Sequence, residues 1–185
     1  EHWGLDCLKK LRGMFAFAIW DSKKQQLILA RDRLGIKPLY YIAGEKQFLF
    51  ASEVRALLAS GLSDSSINPT GLYHYLSFGH LKSPESLMGG IQELKPGHYL
   101  VVDSDGNFKE TQYWHPLDSI EAPENDGGSI QDVLLESIKY RQVSDVPIGA
   151  FLSGGIDSSA IVSHMASISD EPITTLTIGF KEKEF

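Results

Sequence analysis

One stretch limits the folds open to this 185-residue chain more than any other: Phe151-Leu152-Ser153-Gly154-Gly155-Ile156-Asp157-Ser158-Ser159. Ahead of it, Val146 to Leu152 reads as a short buried strand. Behind it, Ala160, Ile161, Val162, Met165, Ala166 and Ile168 recur at roughly helical spacing, which predicts a helix over 158–168. A strand that breaks at Gly-Gly and reopens as a helix leaves backbone N–H groups free at the helix's positive end. That is a ready anion site. The glycines permit positive φ and, lacking Cβ, let a phosphate approach the backbone closely. Ser153, Ser158 and Ser159 add hydroxyl donors. Asp157 is the odd member, because a carboxylate beside a polyphosphate repels it unless a divalent cation lies between. Mg²⁺, satisfied by one or two carboxylates plus phosphate oxygens, meets that need. The pattern Gly-x-x-x-x-Gly-Lys-[Ser/Thr] does not occur, so a Walker-type P-loop is excluded. The competing reading is a plain strand–turn–helix corner that happens to be rich in Gly and Ser.

A further strand is expected over Ile173–Phe180, and a helix with Ser129 as its cap carries Ile130, Val133, Leu134, Ser137 and Ile138 on one face. The region from 129 onward therefore reads as a βαβ unit with a parallel sheet. The text before it is different. Met14 to Trp20 is almost continuously apolar, as expected of a strand covered on both faces, and Leu27 to Ala30 returns across the polar turn Asp21–Lys24. Strands are also expected at Leu39–Ile42, Phe48–Ala51, His98–Val102 and Phe108–Trp114, the last two flanking Asp103-Ser104-Asp105-Gly106. Ser52 is a candidate cap for a helix closed by Gly61, and Asn68-Pro69 starts another that ends near Gly79. Residues 80–97 read mostly as loop. Residues 115–128, with prolines, glycines and four acids, read as the linker.

A formal net charge of −7 argues against a nucleic-acid surface, and no apolar stretch is long enough to span a bilayer. With Cys7 as its one cysteine, the chain makes no internal disulfide, which points to a reducing, cytoplasmic setting. The opening Glu1-His2-Trp3-Gly4 is no initiator sequence, and a two-strand parallel sheet covers neither its faces nor its edges. Both features lead us to expect the central segment of a longer protein. The histidines show no paired metal spacing. Phe15, Phe17, Trp20, Tyr40, Tyr41, Phe48 and Phe50 have strand spacing and are expected in the core. Arg31, Asp32 and Arg33 are open between substrate or domain contacts and a solvated turn with local ion pairs, the latter slightly favoured.

Ser153-Gly154-Gly155-Ile156-Asp157-Ser158 resembles the SGGxDS motif of the ATP pyrophosphatases, and the run Ser144 to Leu152 leading into it is similar to the glutamine-dependent asparagine synthetases. Arg12 to Asp21, Arg31 to Tyr41 and Ala51-Ser52-Glu53 resemble the later part of a class II glutamine amidotransferase domain. The resemblance implies an α+β amidotransferase portion with antiparallel sheets over 1–114, a linker over 115–128, and over 129–185 the start of an α/β parallel-sheet ATP pyrophosphatase domain. It implies ATP and Mg²⁺ as cofactors, with Leu152, Ser153, Gly154, Gly155, Asp157, Ser158 and Ile178 on the nucleotide and Asp157 on the metal. Leu152 and Ile178 are the positions that match adenosine contacts. The implied reaction activates aspartate as an acyl-adenylate, with loss of pyrophosphate, for attack by glutamine-derived ammonia. The family's nucleophilic N-terminal cysteine lies upstream of Glu1, and Cys7 does not replace it, so this segment alone is expected not to hydrolyse glutamine. Other carboxylate acceptors, as in β-lactam-forming synthetases or amidotransferases of cell-surface polymer pathways, remain open, as do an inactive truncated homologue and a homodimer. A sulfur-transferring tRNA-modifying enzyme is disfavoured by the acidic charge.

Overall fold

The computed structural model describes residues 2–44, 47–119 and 129–179. The chain divides into two compact units, Glu1–Ala122 and Pro123–Phe185.

In the first unit a helical turn, α1 (Cys7–Lys10), precedes β1 (Ala16–Asp21) and β2 (Gln26–Arg31). These strands form an antiparallel hairpin, Ala16 opposite Arg31 and Asp21 opposite Gln26. The Asp21 carboxylate closes the turn by accepting the N–H groups of Lys23 and Lys24, both at 3.0 Å. Next come the antiparallel pair β3 (Tyr40–Ala43) and β4 (Phe48–Ala51), then α2 (Val54–Ala59). The helix α3 (Pro69–Phe78) begins as its sequence predicts. Asn68 accepts the Thr70 N–H, Pro69 is the first helical residue, and Gly79 ends the helix with φ 73°. The strands β5 (Gln92–Glu93), β6 (His98–Val102) and β7 (Phe108–Gln112) complete the unit.

These strands make two antiparallel sheets, β1-β2-β6-β7 and β4-β3-β5. Strand alternation assigns the core. Leu29 of β2 and Leu100 of β6 meet Leu39, Tyr41 and Leu94 in one buried cluster, with Phe48 packed against it. Ile42, one residue on from Tyr41, joins Leu57 of α2 and Ile91 in a second cluster. Leu29 and Leu100 have no exposed surface, so each contributes about 1.5–3 kcal/mol by burial.

Several expectations need correction. The strand β1 is not covered on both faces: it pairs with β2 alone among the described residues, and Ile19 and Trp20 are 50% and 54% exposed. Phe50 is likewise exposed, so the aromatic set is only partly core. The N-cap of α2 is Glu53, not Ser52, and its side chain makes no capping bond. The segment 80–97 holds β5, which two residues of pairing with β3 create. The strand expected to reach Trp114 ends at Gln112, because the Tyr113 and Trp114 N–H groups both turn to the Gly97 carbonyl. Within the expected linker, Pro116–Ser119 is a 3-10 turn, and 120–128 lie outside the described residues.

The Arg31–Asp32 pair is no solvated turn. Arg31 is 5% exposed and Asp32 1%. The Arg31 guanidinium donates to the carbonyls of Lys37 (2.8 Å), Leu94 (2.6 Å) and Gly35 (2.7 Å) and pairs with Glu93 at 2.8 Å. The Asp32 carboxylate accepts N–H groups from Phe15 (3.2 Å), Leu34 (3.2 Å), Ile36 (3.0 Å) and Lys37 (2.9 Å). Gly35 completes the motif at φ 66°, where an added Cβ would lie 2.8 Å from Pro96 and 3.0 Å from the Arg31 guanidinium carbon. Every polar atom of the pair is thus engaged within the protein, leaving none for a substrate. Arg33 differs: it is half-buried, donates to the Lys9 carbonyl at 3.0 Å, and lies over the Trp114 ring.

Burial pushes the Asp32 carboxyl up, but its four backbone donors outweigh that and hold it below the usual carboxylate value. A depressed folded pKa contributes stability that is complete above the unfolded value, about 3.9, and lost as pH falls through the folded one. The urea midpoint of the wild type is therefore expected to drop below about pH 4 more steeply than that of Asp32→Asn. Parallel acid limbs for the two proteins would contradict this.

In the second unit, α4 (Ile130–Arg141), β8 (Gly149–Phe151), α5 (Ile156–Ser167) and β9 (Thr174–Leu176) follow in order. Ser129 caps α4 in a reciprocal box: its hydroxyl accepts the Asp132 N–H, and the Asp132 carboxylate accepts the Ser129 N–H at 2.9 Å. On α4, Ile138 is buried, whereas Ile130 and Val133 are exposed, so the apolar face is only partly covered. The two strands pair in parallel, from Gly149 opposite Thr174 to Phe151 opposite Leu176. Both are shorter than the sequence predicts. Pro147, with no N–H to donate, precedes β8, and Phe180 lies outside the described residues.

Candidate functional site

The site is built where β8 ends and α5 begins. Leu152 is tied to β9: its N–H donates to the Leu176 carbonyl at 2.9 Å, and its own carbonyl accepts the Thr177 hydroxyl at 2.6 Å. The chain then turns through Ser153 and Gly154, the latter at φ 82°. An added Cβ at Gly154 would meet nothing within 4 Å, so backbone conformation, not space, calls for glycine there. Gly155 is the N-cap of α5 and supplies no side chain to cap it. The helix begins two residues earlier than its apolar spacing predicts, since Ile156 and Asp157 are already helical.

That start leaves a row of open donors. The first bond back to the turn is Ser159 N–H to the Gly155 carbonyl, at 3.1 Å. Ahead of it, the N–H groups of Ile156, Asp157 and Ser158 have no acceptor among the described residues, as four N–H groups at a helix start have none within the helix. Ser153 to Asp157 are exposed and Ser158 half-buried, so no side chain seals the turn. The Asp157 carboxylate stands in the first turn of α5, where the helix dipole favours negative charge. The two hydroxyls are not free. Ser158 Oγ donates to the Gly155 carbonyl at 3.2 Å, Ser153 Oγ lies 3.1 Å from it, and the Gly155 N–H reaches Ser153 Oγ at 3.4 Å. An anion seated on the amides has to replace this internal link to use either hydroxyl.

Leu152 through Ser158 are thus gathered in one turn. Ile178 follows β9 at the same end of the parallel pair and is 80% exposed. The carboxyl ends of parallel strands are where such sheets place ligands. Thr177, which the sequence reading passed over, is joined directly to the turn. No spacing rule would have found it, because its role depends on the register between β8 and β9.

The same donor set decides how a cation could be held. No group of three or more His, Cys, Asp or Glu side chains among the described residues is placed to hold a metal. Asp157 with its neighbouring hydroxyls fits Mg²⁺ only when phosphate oxygens fill the rest of the shell. In the first unit, Cys7 is half-buried beside an apolar hollow lined by Leu11, Met14, Phe15, Phe17 and Ile19, and that lining contains no histidine. No helix among the described residues is long and apolar enough to cross a membrane.

Residues 1–114 match the glutamine amidotransferase domain family, and residues 129–185 match the asparagine synthase family. Asparagine synthetase [glutamine-hydrolyzing] 3 of Bacillus subtilis is 35% identical over 189 residues, covering 98% of this chain and 31% of the relative. Asparagine synthetase [glutamine-hydrolyzing] 1 of the same organism is 36% identical over 187 residues, covering 100% of this chain and 29% of the relative. Amidase chry2 of Gibberella zeae is 35% identical over 175 residues, covering 89% of this chain and 25% of the relative. The chain therefore spans about a third or less of the curated relatives it matches. With the two family matches lying in chain order and covering nearly all its residues, the chain belongs to the glutamine-hydrolysing asparagine synthetase family.

Proposed function

We propose that this chain is the central segment of an ATP-dependent, glutamine-hydrolysing asparagine synthetase. In this reading residues 1–114 belong to the ammonia-supplying domain, 115–128 are the linker, and 129–185 open the ATP-using domain. The observation that carries it is the exposed turn at Ser153–Ser158, where the amides of Ile156, Asp157 and Ser158, without acceptors among the described residues, stand beside one carboxylate. Those N–H groups bind the pyrophosphate portion of ATP and stabilise the charge that grows there as it leaves. Gly154 and Gly155 let the phosphates approach, and Ser153 and Ser158 exchange their mutual hydrogen bond for phosphate oxygens. Leu152 and Ile178 hold the adenosine part. Asp157 would hold Mg²⁺ together with phosphate oxygens, and the ion would supply positive charge against the phosphates. Aspartate attacks the α-phosphorus through its side-chain carboxylate, and ammonia then displaces AMP to give asparagine.

The test is ATP–pyrophosphate exchange in the full-length protein. Aspartate is expected to stimulate exchange at least about tenfold over glutamate, since a site built for one chain length loses about 1–3 kcal/mol of binding per misplaced methylene. Exchange driven by a different carboxylate would replace aspartate as acceptor. No exchange with any carboxylate would remove the ATP role.

A further inference from the structure

The parallel ladder between β8 and β9 ends in an unusual way. Leu152 N–H donates to the Leu176 carbonyl at 2.9 Å, which continues the register set by Phe151 opposite Leu176. In a regular parallel ladder the Leu152 carbonyl would then accept the N–H of Ile178. It accepts the Thr177 hydroxyl instead, at 2.6 Å. The side chain of Thr177 therefore stands in for a backbone donor and stops the sheet one residue before the turn. Both polar backbone atoms of Leu152 are held, by Leu176 at the end of β9 and by Thr177 just beyond it, and the next residue is Ser153.

We infer that Thr177 is a positioning residue for the nucleotide turn: its hydroxyl fixes the Leu152 carbonyl, and so the direction in which Ser153–Gly155 leave the sheet. This rests on the ATP reading above. The amides of Ile156, Asp157 and Ser158 serve an anion only if the peptide planes leading into α5 are already set, because reorienting them on binding subtracts from affinity. Thr177 does not touch the phosphates. It acts through Leu152.

Three full-length proteins test this: wild type, Thr177→Val, which keeps the shape and loses the donor, and Thr177→Ser, which restores the donor. Thr177→Val is expected to raise the KM for ATP about fivefold, in keeping with the loss of one hydrogen bond, with kcat within about twofold. Thr177→Ser should return KM to within about twofold of wild type. Without nucleotide, the Leu152 amide should exchange with deuterium several-fold faster in Thr177→Val, and the amides of α4 should exchange unchanged. Equal KM values for Val and wild type, or a Ser variant as impaired as Val, would overturn the positioning role. A wild-type protein with no ATP–pyrophosphate exchange would overturn the ATP reading, and the Thr177 role with it. Wild-type exchange with an unmoved KM in Val would overturn the Thr177 role alone.

Discussion

Asp157→Ala in the full-length protein is expected to lower ATP–pyrophosphate exchange about 100-fold or more, while glutamine hydrolysis stays within about twofold of wild type. The asymmetry follows from where the side chain stands. Asp157 is exposed in the first turn of α5 and contributes about 0.3–1 kcal/mol through the helix dipole. Its removal leaves the fold intact. What is lost is the only carboxylate in the turn, and with it, in the proposed reading, the charge that would let Mg²⁺ join the phosphates to the protein. Asp157→Asn keeps the volume and one acceptor oxygen but not the charge, so it should fail nearly as badly. Exchange and glutamate release, measured on the same preparation, separate the two activities. Exchange within about threefold of wild type would take Asp157 out of the metal site.

The second large effect is on stability. Asp32→Ala should destabilise the protein by about 3 kcal/mol, because it strands up to four backbone donors at once. Leu34 and Ile36 are exposed enough for water to rescue part of that loss. Phe15 is only half-buried and Lys37 is exposed, so the part of the loss that water does not recover is expected to fall mainly on the Phe15 N–H. In urea the midpoint should fall by about 1–2 M with little change in slope. A loss below about 0.5 kcal/mol, the range of ordinary surface substitutions, would mean that the segment 33–37 holds its shape without Asp32.

These two residues also mark what the sequence made legible. The turn at Ser153–Ser158 was readable because its chemistry is local: glycine, hydroxyl and acid sit within six positions, and the helix start supplies the donors. The Asn68-Pro69 start of α3 and the Ser129 cap of α4 were readable for the same reason. Arg31 and Asp32 were misread because charge in a turn usually faces water. Nothing near them in sequence reveals that Leu94 and Glu93 close over the guanidinium. The strand β5 escaped notice for a similar reason, since two residues paired with β3 carry no periodicity of their own. Trp20 was expected inside because it ends an apolar run with strand spacing, yet only pairing partners decide whether a strand is covered.

The Arg31 contacts also bear on the order of events during synthesis. Besides its near partners Gly35 and Lys37, the guanidinium donates to a carbonyl 63 positions later, and the Arg31 backbone carbonyl accepts a hydroxyl from Tyr113, 82 positions later. A ribosome adding roughly 5–20 residues per second needs several seconds after Arg31 before either partner emerges. Until then the first hairpin carries a cation with no burial site, and hydrophobic closure over it would be penalised. The amino-terminal unit should accordingly lock late and all at once, with Tyr113 among the last residues it waits for.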